Sequence, residues 1–214
     1  MRKYVTDSLT FAATAMISSF VTERILFAMS SGAESDPDMI CPRCRKATEK
    51  DIDAVNEIYD HIHTEHEKGA TYTGWVRGVY PKRGTAKDAV SRGDLFVEED
   101  GGKIVGTAII NKNQGEVYKG GSWKHIFPDD EIMVLHTLVI DPYIKGHGYG
   151  KSFVGFYEAY AKENGCKCLR MDTNELNKNA RSFYNKLGYS EAGILPCIFN
   201  GIPGIRLVMI EKKL

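Results

Sequence analysis

The sequence has no excess of charge of either sign. Its 214 residues carry 28 Lys and Arg against 28 Asp and Glu. Proteins that track nucleic-acid phosphates need a basic surplus, so no nucleic-acid partner is expected. There is no block of like charges that would act as an interaction tail. There is also no apolar run approaching the roughly 20 residues that a helix needs to cross a bilayer, so no membrane partner is expected. Cysteine is scarce and odd in number: Cys41, Cys44, Cys166, Cys168 and Cys197. Two tight pairs and a remainder do not make a secreted disulfide framework, and reduced thiols point to a cytoplasmic protein. Cys41-Pro-Arg-Cys44 has the spacing of half a zinc ribbon, but Cys166 and Cys168 are separated by one residue and cannot supply the other half. No metal is therefore expected, and the cysteines read as small strand residues. Hydrophobic residues, at 43%, are present in the amount that one buried core requires.

Residues 1–38 differ from the rest. A basic start at Arg2-Lys3 and an uncharged stretch from Ser8 to Thr22 have the outline of a targeting peptide, but Asp7 and Glu23-Arg24 break it. Leu9, Ala12, Ala13, Met16 and Phe20 fall at helical spacing, which makes a docking or homodimerising helix the alternative. Ser30 to Asp38 is polar, holds Gly32 and Pro37, and reads as a linker. The folded domain is expected over residues 39–214, after an extension of 1–38.

Within that domain Met39 to Lys46 is a candidate strand, with Pro42 confining it to an edge. Thr48 and Asp51 mark a helix start, and Ile52, Val55, Ile58, Tyr59 and Ile62 continue it at helical spacing to about Glu67. His61, His63 and His66 on that helix do not converge, since His61 and His66 stand about 140° apart at 100° per residue. They read as a solvated face. Loop Gly69 to Gly84 and a short helix at Ala86 to Arg92 follow. Asp100-Gly101-Gly102 then separates two apolar runs, Leu95 to Glu98 and Ile104 to Ile110, as a hairpin turn. Ile132 to Ile140 is apolar except at His136 and Thr137 and reads as a central strand. A helix carrying Phe153, Phe156, Tyr157 and Tyr160, a strand at Cys166 to Met171, a helix at Asn177 to Leu187 ended by Gly188, and strands in Ser190 to Phe199 and Ile205 to Ile210 complete the chain. Strands alternating with helices require at least one parallel pair.

The most informative stretch joins the central strand to the next helix: Val139-Ile-Asp-Pro-Tyr-Ile-Lys-Gly-His-Gly-Tyr-Gly-Lys151. Glycines let the backbone approach a ligand, and a helix N-terminus offers free amides with partial positive charge, so this is a diphosphate site. A Walker A loop would place its first glycine at Lys145. A dinucleotide fingerprint would place its third glycine at Lys151 or Phe153. Both patterns fail. Lys145-Gly146-His147-Gly148-Tyr149-Gly150 instead resembles the coenzyme A pyrophosphate loop of GNAT acetyltransferases, Arg/Gln-x-x-Gly-x-Gly/Ala, with Lys at the first position. Asn177-x-x-Ala180-x-x-x-Tyr184-x-Lys186-x-Gly188-Tyr189 resembles the second signature of that family, at the right distance from the first. The resemblance covers about Met39 to Leu214.

The resemblance implies an α/β fold with a mixed sheet of six to seven strands, two splayed parallel central strands and about four flanking helices. It implies acetyl-CoA as acyl donor, held by the backbone of Leu138, Val139 and Ile140, by the turn Lys145, Gly146, His147, Gly148, Tyr149, Gly150 and Lys151, and by Asn177. It also implies transfer to a primary amine of a small molecule or amino acid. Protein N-terminal or lysine acetylation and a non-catalytic coenzyme A sensor are the alternatives. Tyr184 matches the tyrosine that protonates the departing thiolate. His136, in Leu135-His-Thr-Leu138, resembles a histidine that assists deprotonation in serotonin N-acetyltransferases, although Val134 stands where those enzymes have a second histidine. Asp172 is the rival base, by position the counterpart of a Glu in ribosomal-protein acetyltransferases. Glu131 is a third, and a base acting through water also suffices. In this fold the first helix and the loop after it border the acceptor pocket, so Tyr72, Trp75 and Tyr80 are expected to line it.

Overall fold

Local chemistry sets the first elements. The Thr48 backbone N–H donates to Asp51 Oδ2 at 2.7 Å, closing the turn from which helix α1 (Ile52–Glu67) starts. Arg45, on strand β1 (Cys44–Lys46), forks onto both Asp51 carboxylate oxygens at 2.8 and 2.9 Å and holds that acid down to about 2. Helix α2 spans Arg83–Arg92 and ends on Gly93 at φ 73°. Strands β2 (Leu95–Asp100) and β3 (Lys103–Asn111) form the expected hairpin, and both turn glycines have positive φ, 56° at Gly101 and 78° at Gly102. Strand β4 (Ile132–Ile140), helix α3 (Tyr149–Glu163), strand β5 (Cys168–Asn174), helix α4 (Lys178–Lys186) and strands β6 (Ser190–Phe199) and β7 (Ile202–Lys213) follow. The computed structural model describes residues 41, 43–144 and 146–214. The expectations for residues 1–38 and for Lys145 lie outside them.

The seven strands make one sheet in the order β1-β2-β3-β4-β5-β7-β6. Among the described residues only β4 and β5 run parallel; every other neighbouring pair is antiparallel. The strand alternation of Met133 and Leu135 on β4, and of Leu169 and Met171 on β5, sends these residues to one face, where Phe153, Phe156 and Tyr157 of α3 cover them. On the opposite face Val55, Ile58 and Tyr59 of α1, with Ala86 and Ala89 of α2, cover Leu95, Val97, Ile109 and Val139. A third cluster on that side covers Val134, Cys168 and Met209 with Tyr118, which belongs to a one-turn helix at Glu116–Gly120. Burying each of these large side chains contributes roughly 1.5–3 kcal/mol.

The parallel pairing is short. Ile132, Met133, Val134 and Leu135 pair with Cys168, Leu169, Arg170 and Met171, and there it stops. Both strands continue. β4 stays on β3 as far as Ile140, and β5 stays on β7 as far as Asn174. Each therefore keeps its outer neighbour while the two lose each other, and the sheet opens along its middle. A bulge accompanies the opening: Thr107 pairs with Val139 but Ile109 with His136, so β4 carries one residue more than β3. Thr137 takes the strain, with φ 53°, a left-handed conformation that a β-branched residue rarely adopts.

Candidate active site

The opening between β4 and β5 is part of a cleft of about 1230 Å³. Its walls include Leu135 to Ile140 on one side and Asp172 to Asn174 on the other, with Asn177, Ala180 and Tyr184 of the α4 region. The Asp141 amide donates to the Val105 carbonyl at 2.9 Å, so strand alternation turns the backbone of Val139 toward Thr107 as well. Leu138 and Ile140 consequently present their N–H and C=O groups to the opening, an unpaired strand edge inside the protein. Beyond Ile140 the chain turns through Gly146 (φ 86°) and Gly148 (φ 73°) into the first turn of α3. The Ser152 amide bonds back to the Gly148 carbonyl, and the amides before it, at the helix start, have no partner among the described residues. The turn itself is not among the walls of the cleft, which reach Ile140. The Tyr149 side chain points away, donating to Asp100 Oδ2 and stacking on His147.

The polar groups of the cleft divide between the two faces of the sheet. Continuing the β4–β5 register by one step sets His136 opposite Asp172, at the first position where the strands no longer bond. Both lie on the Val134 and Arg170 face. His136 Nε2 is 3.1 Å from the Asn113 carbonyl. A carbonyl only accepts, so Nε2 carries the proton and a neutral ring keeps its lone pair on Nδ1. Burial lowers the His136 pKa, and the Asp172 carboxylate partly offsets this. Asp172 is itself raised by burial, and it accepts a 2.8 Å hydrogen bond from Tyr118 Oη. Tyr184 comes from the other face, packed in its core against Tyr189 and Phe183. Burial raises its pKa, so the phenol stays protonated where Tyr184 borders the cleft.

A model of the Acetyltransferase (GNAT) family matches residues 54–189 of this sequence. The chain belongs to that family. It is 26% identical over 157 residues to an uncharacterised N-acetyltransferase of Methanocaldococcus jannaschii, covering 71% of this chain and 62% of that protein. The chain spans about three fifths of the length of the curated relatives it matches. Its fold is similar to a GNAT-family acetyltransferase from Streptococcus agalactiae, with a TM-score of 0.67 at 23% identity over 80% of this chain and 94% of the other. It is also similar to an acetyltransferase from Salmonella typhimurium whose structure holds its cofactor acetyl-CoA, with a TM-score of 0.57 at 17% identity over 80% and 92%. The mixed, splayed sheet, with four α-helices among the described residues, is the fold that membership implies.

In this GNAT chain the structure brings Tyr184, His136, Asp172, Leu138, Ile140 and Asn177 to one cleft. Asn177 also caps α4, its Oδ1 accepting from the Ala180 amide at 3.1 Å. Glu131 is not in the cleft. It sits at the opposite end of β4, paired with Lys167 at 2.8 Å. Of the loop aromatics, Trp75 and Tyr80 line the cleft, whereas Tyr72 is half exposed and borders a separate shallow hollow. The three histidines of α1 are not a solvated face. His61 meets Asp141 at 3.1 Å, His63 is buried on the Pro81 carbonyl, and His66 accepts from the Thr73 amide. Each anchors a different piece of chain, which explains their divergence without a metal. Sequence reasoning missed Tyr118, whose one-turn helix is too short for any periodicity to place it beside Asp172.

Proposed function

We propose that the protein transfers the acetyl group of acetyl-CoA to a primary amine of a small molecule or amino acid, by direct attack in a ternary complex. The observation that carries this reading is the end of β4–β5 pairing at Leu135 and Met171 while both strands run on. The unpaired edge at Leu138 and Ile140 suits the amides of the pantetheine arm, with Val139 between them held on β3. The amides of Gly146, His147, Gly148, Tyr149, Gly150 and Lys151 suit the diphosphate, with Lys145 adding charge. Asn177 offers the cofactor its amide N–H groups while its oxygen caps α4.

Acid and base then lie on opposite faces of the sheet. The thioester carbonyl sits in the opening. The amine approaches from the face of His136 and Asp172, and the thiolate leaves toward Tyr184. His136 Nδ1 takes the proton that the ammonium must lose, and the Asp172 carboxylate stabilises the imidazolium that results. Tyr184 Oη donates to the thiolate as the C–S bond breaks. Each proton thus has a named destination.

The acceptor end supports a small amine. Tyr80, from the loop after α1, meets Phe199 of β6 edge to face at 5.4 Å, and its hydroxyl bonds to Thr137. Trp75 packs against Tyr80 at 6.0 Å. The loop and the β6–β7 hairpin therefore touch across the mouth, leaving a pocket with aromatic walls. Incubating purified protein and acetyl-CoA with amino acids, polyamines, arylalkylamines and short peptides, and reading thiol release, tests the assignment. Release with a small amine is expected; release only with peptides would transfer the reading to protein acetylation, and release with none would refute it.

A further inference from the structure

We propose that Cys41, Cys44 and Glu98 bind a zinc ion that fastens the start of the domain to the helix carrying the glycine turn. The fold supplies what the sequence lacks, a third ligand for the Cys-x-x-Cys pair. Cys44 and Glu98 are direct cross-strand partners on β1 and β2. The Cys44 amide bonds to the Cys41 carbonyl at 3.1 Å, and this turn folds Cys41 back over the same spot. The two sulfurs and a carboxylate oxygen of Glu98 all lie within 4.8 Å of one another, with Cys41 Sγ 4.0 Å from Glu98 Oε1. Zinc bonds of about 2.3 Å to sulfur and about 2.1 Å to oxygen put tetrahedral ligand atoms roughly 3.6–3.8 Å apart, so modest side-chain movement closes the site. The fourth position opens toward Ser152 in the first turn of α3, whose Oγ is 2.9 Å from Cys41 Sγ.

Glu98 is an independent pointer. It is 0% exposed, and its Oε2 has no hydrogen-bond partner among the described residues. A buried carboxylate with an idle oxygen is costly unless something positive meets it. Arg43 meets Oε1 at 3.3 Å, which accounts for one oxygen only. Two thiolates and a carboxylate carry three negative charges. A divalent ion and Arg43 carry three positive, so the filled site is neutral. Thiolates favour zinc over magnesium or calcium. Binding expels the two thiol protons to solvent. None of these residues lines the cleft between β4 and β5, so the ion has a structural task.

The test is elemental analysis of the full chain after gel filtration, followed by titration of metal-free protein with cobalt(II) chloride. One zinc per chain is expected, and the cobalt form should show a thiolate-to-metal charge-transfer band. Cys41→Ser should cost more than about 100-fold in zinc affinity, beyond the range for outer-shell changes, with unchanged circular dichroism. A chelator should lower the Tm of the parent protein but not of that variant. Absence of tight zinc, a cobalt spectrum without the sulfur band, equal affinity in Cys41→Ser, or a Cys41–Cys44 disulfide in protein made under reducing conditions would each overturn the assignment.

Discussion

At the scale of single residues, Tyr184→Phe removes a hydroxyl and leaves the ring that packs on Tyr189 and Phe183. Fold and acetyl-CoA affinity should survive while kcat falls by roughly 10²–10⁴-fold, the usual worth of a general acid. Single-turnover kinetics check this, and a normal rate would leave the thiolate to water. The base is distinguished by pH. Burial depresses His136, so its ring is neutral and able to accept a proton above a pKa below the ordinary value of about 6.5. Activity should therefore fall as pH drops through that depressed value. In His136→Gln the fall should begin at higher pH, because free amine must then come from solution. If His136→Gln keeps the parent rate and profile while Asp172→Asn does not, Asp172 is the base. Neither assignment is fully readable from sequence. His136 is visible as a polar break in an apolar run, but its place opposite Asp172 depends on a strand register between residues 36 positions apart, and the Tyr118 bond to Asp172 on a one-turn helix without periodicity.

At the scale of elements, the glycine turn admits a sharp test. Gly148 has φ 73°, so Gly148→Val strains the backbone by about 1–2 kcal/mol. A Cβ there meets no atom of the described residues within 4 Å, so the added bulk projects toward the space where the diphosphate path is proposed. Acetyl-CoA at 100 times its Kd should stabilise the parent by about 2.7 kcal/mol and a folded Gly148→Val protein by nearly nothing. An unchanged shift would remove the loop from the cofactor site. The aromatic closure gives another expectation: Phe199→Ala opens the contact with Tyr80 and should raise kcat/KM for bulkier amines relative to small ones. Elements with strong local signals are readable in the sequence. Asp100-Gly101-Gly102 dictates its hairpin, and the run Ile132–Ile140 is one strand from end to end. Thr137 is opaque, because a positive φ at a β-branched residue opposes its own propensity and exists only because β3, β4 and Tyr80 impose it.

At the scale of the whole molecule, we place the catalytic domain at residues 39–214. A protein starting at Met39 should keep full turnover, since every residue assigned to the cleft lies beyond Cys41, and any change should appear in oligomeric state or solubility. Soluble truncated protein that binds coenzyme A yet turns nothing over would assign residues 1–38 to the site. The family was legible because two signatures, 145–150 and 177–189, stand in order on a strand-to-helix turn and the next helix. The acceptor pocket was only partly legible, because its walls come from α1's loop, β4, β5 and the β6–β7 hairpin, and no local pattern announces that Tyr80 will meet Phe199.

The most direct measurement is a crystal structure of the protein with coenzyme A. The pantetheine arm should lie between β4 and β5, bonded to the backbone of Leu138 and Ile140, with the diphosphate on the amides of Gly146 to Lys151 and the sulfur within hydrogen-bond reach of Tyr184 Oη. Coenzyme A bound on any other surface, or in the opening with its sulfur turned away from Tyr184, would contradict the proposed site and the division of acid and base between the two faces of the sheet.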